Sequence, residues 1–561
     1  MEEHLNEEKS SMDTDLQTTL LLDHNHHDQK GGMKTMPFII GNESFEKVAS
    51  YGLQPNMILY FTEVYHLEAV AGSTIIYIWT ALSNGLSIFG AFISDSYLGP
   101  FRVIATGSFM TLLGMTLLWL TSMVPQLTPS SCNEPNTGCS PPTPTQLAFL
   151  FSSFVLMSIG SGCIRPCSIA FGAEQLKPVR TGNNNQRLIS SYFNWYYASA
   201  TVSAFVAVAV VVYIQDRFGW QIGFVVPVCI MICSALVFLI GSPLYVKVEV
   251  KENPYSGLFQ VLVMAFKNRR IRLLPDDCYN HSSETGRVEL TDSLRFLNKA
   301  CVVRDMNIDC SRLYPTVEKV ESFKSLIRIL PLWSTSILLY TNVTLPYPTL
   351  QAKAMNRHVT SWFEVPAGSY SVFLVMTLTI WVMFYNCLLV PFLAKYTRDP
   401  SGVIPKTRMG IGLLISIIAM VVSAIVETIR RDMAGSNTPA DDNMSAMWLV
   451  PQFALLGLAE AFNVVGLMEY CYSELPKSMS SVAMAVYTMS SAVAGLVGSL
   501  LVNTVDSITS RGGHVSWLSS DINEGHLDYY YWLLGFLNLL NFLYFLICCR
   551  VRRSSSSQVI E

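Results

Sequence analysis

Charge is scarce in this chain: Asp, Glu, Lys and Arg make up 14% of 561 residues, whereas the apolar types make up 51%. Soluble domains carry roughly a quarter charged residues, so a water-facing globule is excluded. Histidine is sparse too, and its nine copies lie in the N-terminal tail, in loops or, for His66, at the edge of an apolar run. None is placed to titrate inside such a run. The thirteen cysteines build no disulfide framework, since most sit in apolar runs or the polar central stretch as small packing residues. Cys132 and Cys139, in the loop after the third run, are the one pair positioned for a disulfide. Cys548 and Cys549, just ahead of Arg550, Arg552 and Arg553, stand where a palmitoyl anchor could attach. The first forty residues lack a basic segment followed by an apolar one, so no cleaved signal peptide is expected. No His/Cys cluster of metal spacing, phosphate loop or nucleophile–base pairing stands out. An enzyme, a bound metal, a cofactor and a nucleic-acid partner are therefore not expected.

What the chain has is length of apolar sequence. Runs able to cross ~30 Å of hydrocarbon, about 20 residues each, occur near residues 46–66, 72–94, 102–124, 146–172, 190–214 and 219–242, then 325–343, 368–393, 409–427, 446–470, 481–505 and 529–549. This predicts an all-α membrane protein of about twelve spans in two groups of six. The stretch 244–322 between the groups is polar, with Lys267, Arg269, Arg270, Arg272, Asp276 and Asp277. The predicted organisation is a tail over 1–41, an N-terminal six-helix bundle over 42–243, a central loop over 244–322, a C-terminal six-helix bundle over 323–550 and a tail over 551–561.

Short loops rich in Lys and Arg mark the cytoplasmic side. Arg102, Lys177, Arg180, Arg187, Lys395, Arg398, Lys406, Arg408 and Lys477 fall on one face, which is read as cytoplasmic together with both tails and the central loop. The opposite loops hold Arg217, Lys353, Arg357, Arg430, Arg431 and Arg511. Asn443-Met444-Ser445 is a glycosylation sequon on that outer side.

Against this background the charges inside spans call for explanation. Arg165 lies in an apolar run from Leu147 with no other charge before Glu174. A guanidinium at membrane depth costs roughly 2.5–3.5 kcal/mol on insertion scales, so it normally faces a cavity or a paired carboxylate. Glu43, Glu46 and Lys47 occupy i, i+3 and i+4, so all three project from one helix face. The tenth run carries Glu460 and Glu469. Glu469 is the preferred partner for Arg165 across a central cavity, because Glu460 sits mid-run among small residues where a neighbouring helix can satisfy it. With no histidine available, proton coupling would fall to Glu43, Glu46 and Glu469, modulated by Lys47 and Arg165. Arg165 itself keeps its proton at any accessible pH. Tyr51 and Trp333 are candidate cavity walls. At the end of the second run, Asp95 is placed to cap the next helix or latch an inner gate through Arg102.

These residues resemble the proton-dependent oligopeptide transporter family, in particular its plant nitrate and peptide transporter branch. Glu43-Ser44-Phe45-Glu46-Lys47 is similar to the family's E-x-x-E-R/K element. Gly90-Ala91-Phe92-Ile93-Ser94-Asp95-Ser96-Tyr97-Leu98-Gly99, the stretch from Gly160 to Gln175 around Arg165, and Phe193-Asn194-Trp195-Tyr196-Tyr197 resemble its second-, fourth- and fifth-span motifs. Leu297-Asn298-Lys299-Ala300 and Val320-Glu321-Ser322-Phe323-Lys324 are similar to elements of the branch's central loop. The resemblance, from about Met36 to Val551, implies a major-facilitator fold, alternating access between the two bundles, and symport of a small anionic or zwitterionic solute with protons. It implies that Glu469 faces the fourth-span cation. Nitrate is the substrate most often assigned in the branch; peptides and hormones such as gibberellin are others, and a nitrate sensor with little transport is a further reading. A plasma-membrane location comes first and a vacuolar one second.

The chain departs from the family pattern in places. Val48 and Ser50 replace aromatics after the first motif, and Pro100 replaces a basic residue, with Arg102 two positions on. Thr201 and Ser203 stand for Asn and Gly. The seventh span, Tyr340 to Pro348, has two prolines and neither Gln nor His. These substitutions bear on the inner gate and on any substrate contacts from the seventh span.

Overall fold

The computed structural model describes residues 31–130, 141–176, 183–247, 254–270, 290–291, 294–302, 315–390, 392, 395, 403–435, 444–475 and 480–557. The regular structure in this range is helical except for one short ribbon. The first crossing consists of α1 (Met36–Leu53) and α2 (Met57–Glu63), broken at residues 54–56. It begins ten residues before the expected span, because the charges of the first motif lie inside the helix rather than at its entrance. The second crossing, α3 (Ala69–Ile93), widens into a π turn over Ser94–Leu98 and stops at Gly99, whose φ of 75° suits glycine alone. α4 (Pro100–Met123) then starts with proline at its first position, where no N–H is needed. α5 (Pro144–Leu176) is followed by α6 (Asn183–Val206), which runs through a π turn (Ala207–Val211) into α7 (Val212–Ile240). Gly219, at φ 79°, folds α7 back on itself.

The central stretch contributes α8 (Pro254–Lys267) and α9 (Arg295–Asn298). They pack on the start of α10 (Val317–Ser334) around Val261, Leu297, Cys301, Val317 and Val320. The region expected to be a loop thus has a small core of its own, tight enough that burial pushes the Cys301 thiol up to about 11. α10 meets α11 (Ile337–Val343) and α12 (Tyr347–Lys353) at a 49° bend. A ribbon follows, β1 (His358–Thr360) antiparallel to β2 (Phe363–Glu364). The remaining helices are α13 (Val372–Phe384, extended by a π turn over Tyr385–Leu389), α14 (Pro405–Gly435), α15 (Val450–Glu474), α16 (Ser480–Thr509) and α17 (Leu527–Ser557).

Among the described residues nine helical stretches are long and apolar enough to cross a bilayer, ten when the bent α10–α12 unit is included. The difference from twelve has two sources. Ser191–Leu244 is one continuous stretch that turns back at Gly219, and the first crossing is broken and charged. Each of the twelve expected regions is helical over most of its described residues, and the architecture is the major-facilitator one of two six-helix bundles.

In the N-terminal half α4 and α3 pack on α5, and α1 on α7; in the C-terminal half α14 packs on α15 and α17, and α13 on α15. The halves touch where α3 meets α16 and α13 meets α6. Small residues permit this closeness, as expected where lipid gives helices no hydrophobic drive to associate. A Cβ on Gly90 would lie 2.2 Å from the Gly162 carbonyl oxygen, and one on Gly495 only 2.5 Å from the Tyr77 carbonyl oxygen.

Candidate functional site

A group of charges on α1 and α5 forms the centre of the N-terminal half. Glu43 and Glu46 are fully buried, and Lys47 Nζ lies 3.1 Å from Glu43 Oε1, an i,i+4 pair on the shared helix face. Glu46 Oε1 accepts a hydrogen bond of 2.7 Å from Ser50 Oγ, one helical turn along. Ser50 stands where the resembling family has an aromatic residue, and its hydroxyl holds one of the two carboxylates. From α5 the Arg165 guanidinium covers the Tyr51 ring at 5.2 Å, and from α6 the Tyr196 ring sits 5.0 Å from Lys47 Nζ. Both contacts are cation–π.

The cluster is incompletely satisfied. Glu43 Oε2, Glu46 Oε2 and Arg165 Nε are buried without a hydrogen-bond partner. Arg165 feels the charges of Glu46 and Glu43 without an ion pair to either within 4 Å. Buried polar atoms are nearly always bonded, so these orphans mark a place with capacity for a ligand or a proton. Tyr197, next along α6, lies within electrostatic reach of Lys47 in its own half and of Tyr472 and Tyr487 in the other. That places the cluster beside the space between the halves.

The C-terminal half corrects one expectation. Glu469 is paired not with Arg165 but with Arg408, whose Nη1 is 2.8 Å from Glu469 Oε1. Arg408 is buried and stacks over the Tyr385 ring at 4.1 Å, while the Glu469 side chain is 44% exposed. The pairing follows from packing, because α14 and α15 are neighbours in one half whereas Arg165 is across the gap. Sequence reading counted Arg408 as a cytoplasmic loop charge. Its position one turn into α14, immediately before an apolar run, was the available signal.

Asp95 and Arg102 are not paired in this conformation: no ion pair joins them within 4 Å, and Arg102 is exposed. The π turn and the reversal at Gly99 intervene. The Trp333 indole N–H donates to the Val486 carbonyl at 2.7 Å, so it ties α10 to α16 within one half. Glu460 lies near Tyr340 and Tyr487. Cys548 and Cys549 are half-buried against the second core of the C-terminal half. Cys132, Cys139 and Asn443 lie outside the described residues.

Sequence reading missed the seam on the outer face. Glu63 pairs with Lys353 across the two halves. Arg357 reaches Glu364 at 2.6 Å and Asp216 at 3.5 Å, and Arg217 lies 3.7 Å from Glu364. Just inside, Asn503 donates to Thr74 at 2.8 Å, Ser369 to the Val208 carbonyl at 3.3 Å and Tyr77 to the Thr341 carbonyl at 3.2 Å. Among the described residues these bonds hold the two halves together on the side that the loop charges predict to be outer. Lys353, Arg357 and Arg217 appeared in the sequence only as outer-loop charges, since their partners are far away in the chain.

Comparison with known proteins gives a consistent picture. A profile of the family described as "POT family" matches residues 101–518. Two Arabidopsis thaliana relatives, Protein NRT1/ PTR FAMILY 1.2 and Protein NRT1/ PTR FAMILY 1.1, are each 45% identical to it, over 92% of this chain and 89% and 91% of their own. Among solved structures, an auto-inhibited POT family peptide transporter superposes with a TM-score of 0.69 at 18% identity, covering 92% of this chain and 97% of that one. The POT family transporter PepTSo gives 0.70 at 17% identity, with 93% and 99% covered. A peptide transporter POT in complex with sulfate gives 0.63 at 14% identity, with 94% and 96% covered.

Proposed function

We propose that this chain, which belongs to the POT family, is a proton-coupled symporter that moves nitrate by alternating access. Membership makes it a multi-pass membrane transporter. The observation that carries the finer reading is the partly unanswered cluster in the N-terminal half, two buried carboxylates beside two half-buried cations. Arg165 is a permanent positive charge with a free Nε donor, and a planar guanidinium suits a planar oxyanion. Glu43 and Glu46 are the groups that load and release protons. Protonating Glu46 would leave Arg165 to meet the anion, and release of both would restore the carboxylate charge beside Arg165 and Lys47.

The anion reading is preferred over a zwitterionic peptide for a specific reason. A peptide amino group needs an acidic partner, and the acidic group opposite, Glu469, is already engaged by Arg408. Of the neighbours, one was solved with sulfate and another with 5-aminolevulinic acid; sulfate supports an anion and the amino acid a zwitterion. Energetics then set the coupling. Moving one charge against the membrane potential costs about 2.3 kcal/mol per 100 mV; one proton cancels the charge of an inward nitrate, and two give a net positive inward charge that the potential drives. The plasma membrane is the proposed location.

The test is uptake of labelled nitrate at acidic and neutral external pH in oocytes, with a dipeptide and gibberellin as competitors. Nitrate uptake that rises at acid pH and resists both competitors supports the proposal. Uptake displaced by the dipeptide or gibberellin assigns the site to that solute instead. Signalling retained in a transport-dead Arg165→Ala protein would favour a sensor.

A further inference from the structure

Helix α8 (Pro254–Lys267) is apolar on two sides, and only one of them is covered. Gly257, Val261 and Ala265, at i, i+4 and i+8, are buried against α9 and α10. Phe259, Leu262, Val263 and Phe266, at i, i+3, i+4 and i+7, form a second stripe. All four are exposed, the two phenylalanines 68% each. Phe296, at 55%, extends the bare patch from α9. An exposed apolar stripe of this kind on a polar loop is an interaction surface.

Charge identifies the partner. Lys267, Arg269 and Arg270 are exposed at the end of the stripe. The Arg269 guanidinium lies 4.3 Å from the Phe266 ring centre, so cation and apolar surface are contiguous. Lys299 donates to the Arg269 carbonyl at 2.8 Å, adding a further positive charge at the same end. An apolar face bordered by Lys and Arg is the pattern of a helix lying in a membrane interface with anionic headgroups.

Position supplies the second argument. α8 follows the last membrane crossing of the N-terminal half, which ends at Leu244, after few residues, and packs on the opening turns of α10, the first crossing of the C-terminal half. It is therefore held at the membrane face that the loop charges assign to the cytoplasm, where the leaflet is anionic. We infer that α8 lies on the inner leaflet, with Phe259, Leu262, Val263 and Phe266 in the acyl boundary and Lys267, Arg269 and Arg270 on anionic lipid headgroups. The surface goes beyond the transport reading, and it is the one stretch joining the two halves in sequence.

The experiment is hydrogen–deuterium exchange on the full-length protein in nanodiscs, comparing phosphatidylcholine alone with a mixture containing roughly 30% phosphatidylserine. Peptides spanning 257–270 are expected to exchange about tenfold more slowly in the anionic discs. The slowing should shrink at high salt, because headgroup attraction is screened. In the Phe259→Ser/Phe266→Ser protein, exchange in anionic discs should return to the neutral-lipid rate. The Lys267→Gln/Arg269→Gln/Arg270→Gln protein keeps the apolar stripe and should lose only the difference between the two lipids. Peptides from the middle of α14 report whether each variant is folded, and the wild-type comparison needs no variant at all. Equal exchange in both lipids overturns the inference. So does slowing that tracks the number of protein copies per disc, which would make the stripe a contact between copies.

Discussion

Two buried ion clusters, one in each half, are built on opposite principles. In the C-terminal half Glu427 and Arg430 form an i,i+3 pair with both carboxylate oxygens engaged at 2.8 Å. Gln351 donates to the same carboxylate at 2.8 Å, and Arg430 passes its remaining donors to Asn523 at 2.7 Å and to the Ile522 carbonyl at 3.4 Å. Tyr531 and Gln452 donate in turn to Gln351. In the N-terminal half Glu43, Glu46, Lys47 and Arg165 leave one oxygen of each carboxylate and one guanidinium donor unanswered. In the first cluster both oxygens of Glu427 are bonded, and with its partners the pair binds α12, α14, α15 and α17 together. The second is under-bonded, and the proposed uptake of a proton or an anion rests on that deficit. The carboxylates are buried in both, and the two clusters differ in how many of their polar atoms are bonded.

This contrast is broken most severely by removing half of the satisfied pair. Arg430→Met leaves Glu427 as an unanswered buried charge and is expected to cost about 3–5 kcal/mol, read as a large fall in melting temperature of the purified protein. The Glu427→Met/Arg430→Met double variant should recover most of that loss. The open cluster should respond the other way, in activity rather than stability. Glu46→Gln is expected to abolish the acid stimulation of uptake, a loss of tenfold or more, corresponding to about 1.4 kcal/mol or greater, with melting nearly unchanged. Undiminished proton currents in that variant would refute its role. Arg165→Lys keeps the charge but loses the planar fork; it should raise the KM for nitrate several-fold and leave the pH profile in place. Smallest of all is the outer seam, where Lys353→Gln removes a part-exposed ion pair of about 0.2–1 kcal/mol. It should shift the outward-open population by a few-fold at most, measurable from the distance between labels on α2 and α12.

The fold was largely legible, because apolar runs of membrane length can have few other destinations. Where reading faltered, charges were the cause. The polar residues Asn42, Glu43 and Ser44 concealed the first ten residues of α1, since a window tuned to apolar sequence begins after them. The small core around Val261 and Cys301 was hidden because Lys267, Arg269 and Arg270 made the whole central stretch look like a linker. In the site, spacing was sufficient for Glu43 and Lys47, which are neighbours on one helix. It could not assign Glu469, whose partner Arg408 lies 61 positions away and looked like a flanking charge. The same limit applies to Lys353 and Glu63, 290 positions apart. Local periodicity specifies which face a charge occupies, and only tertiary packing decides what it meets.

The contact of α16 with α3 has a mechanical consequence. At Gly495 the two halves meet backbone to backbone, and at Gly498 the Tyr77 ring closes the space a side chain would need. Surfaces without protruding groups act as a smooth bearing: they fix the distance between the moving parts while leaving rotation about it almost frictionless. A methyl group placed there would add a tooth to the bearing. We expect Gly495→Ala to slow turnover while leaving substrate affinity intact, seen as a fall in maximal uptake at constant KM.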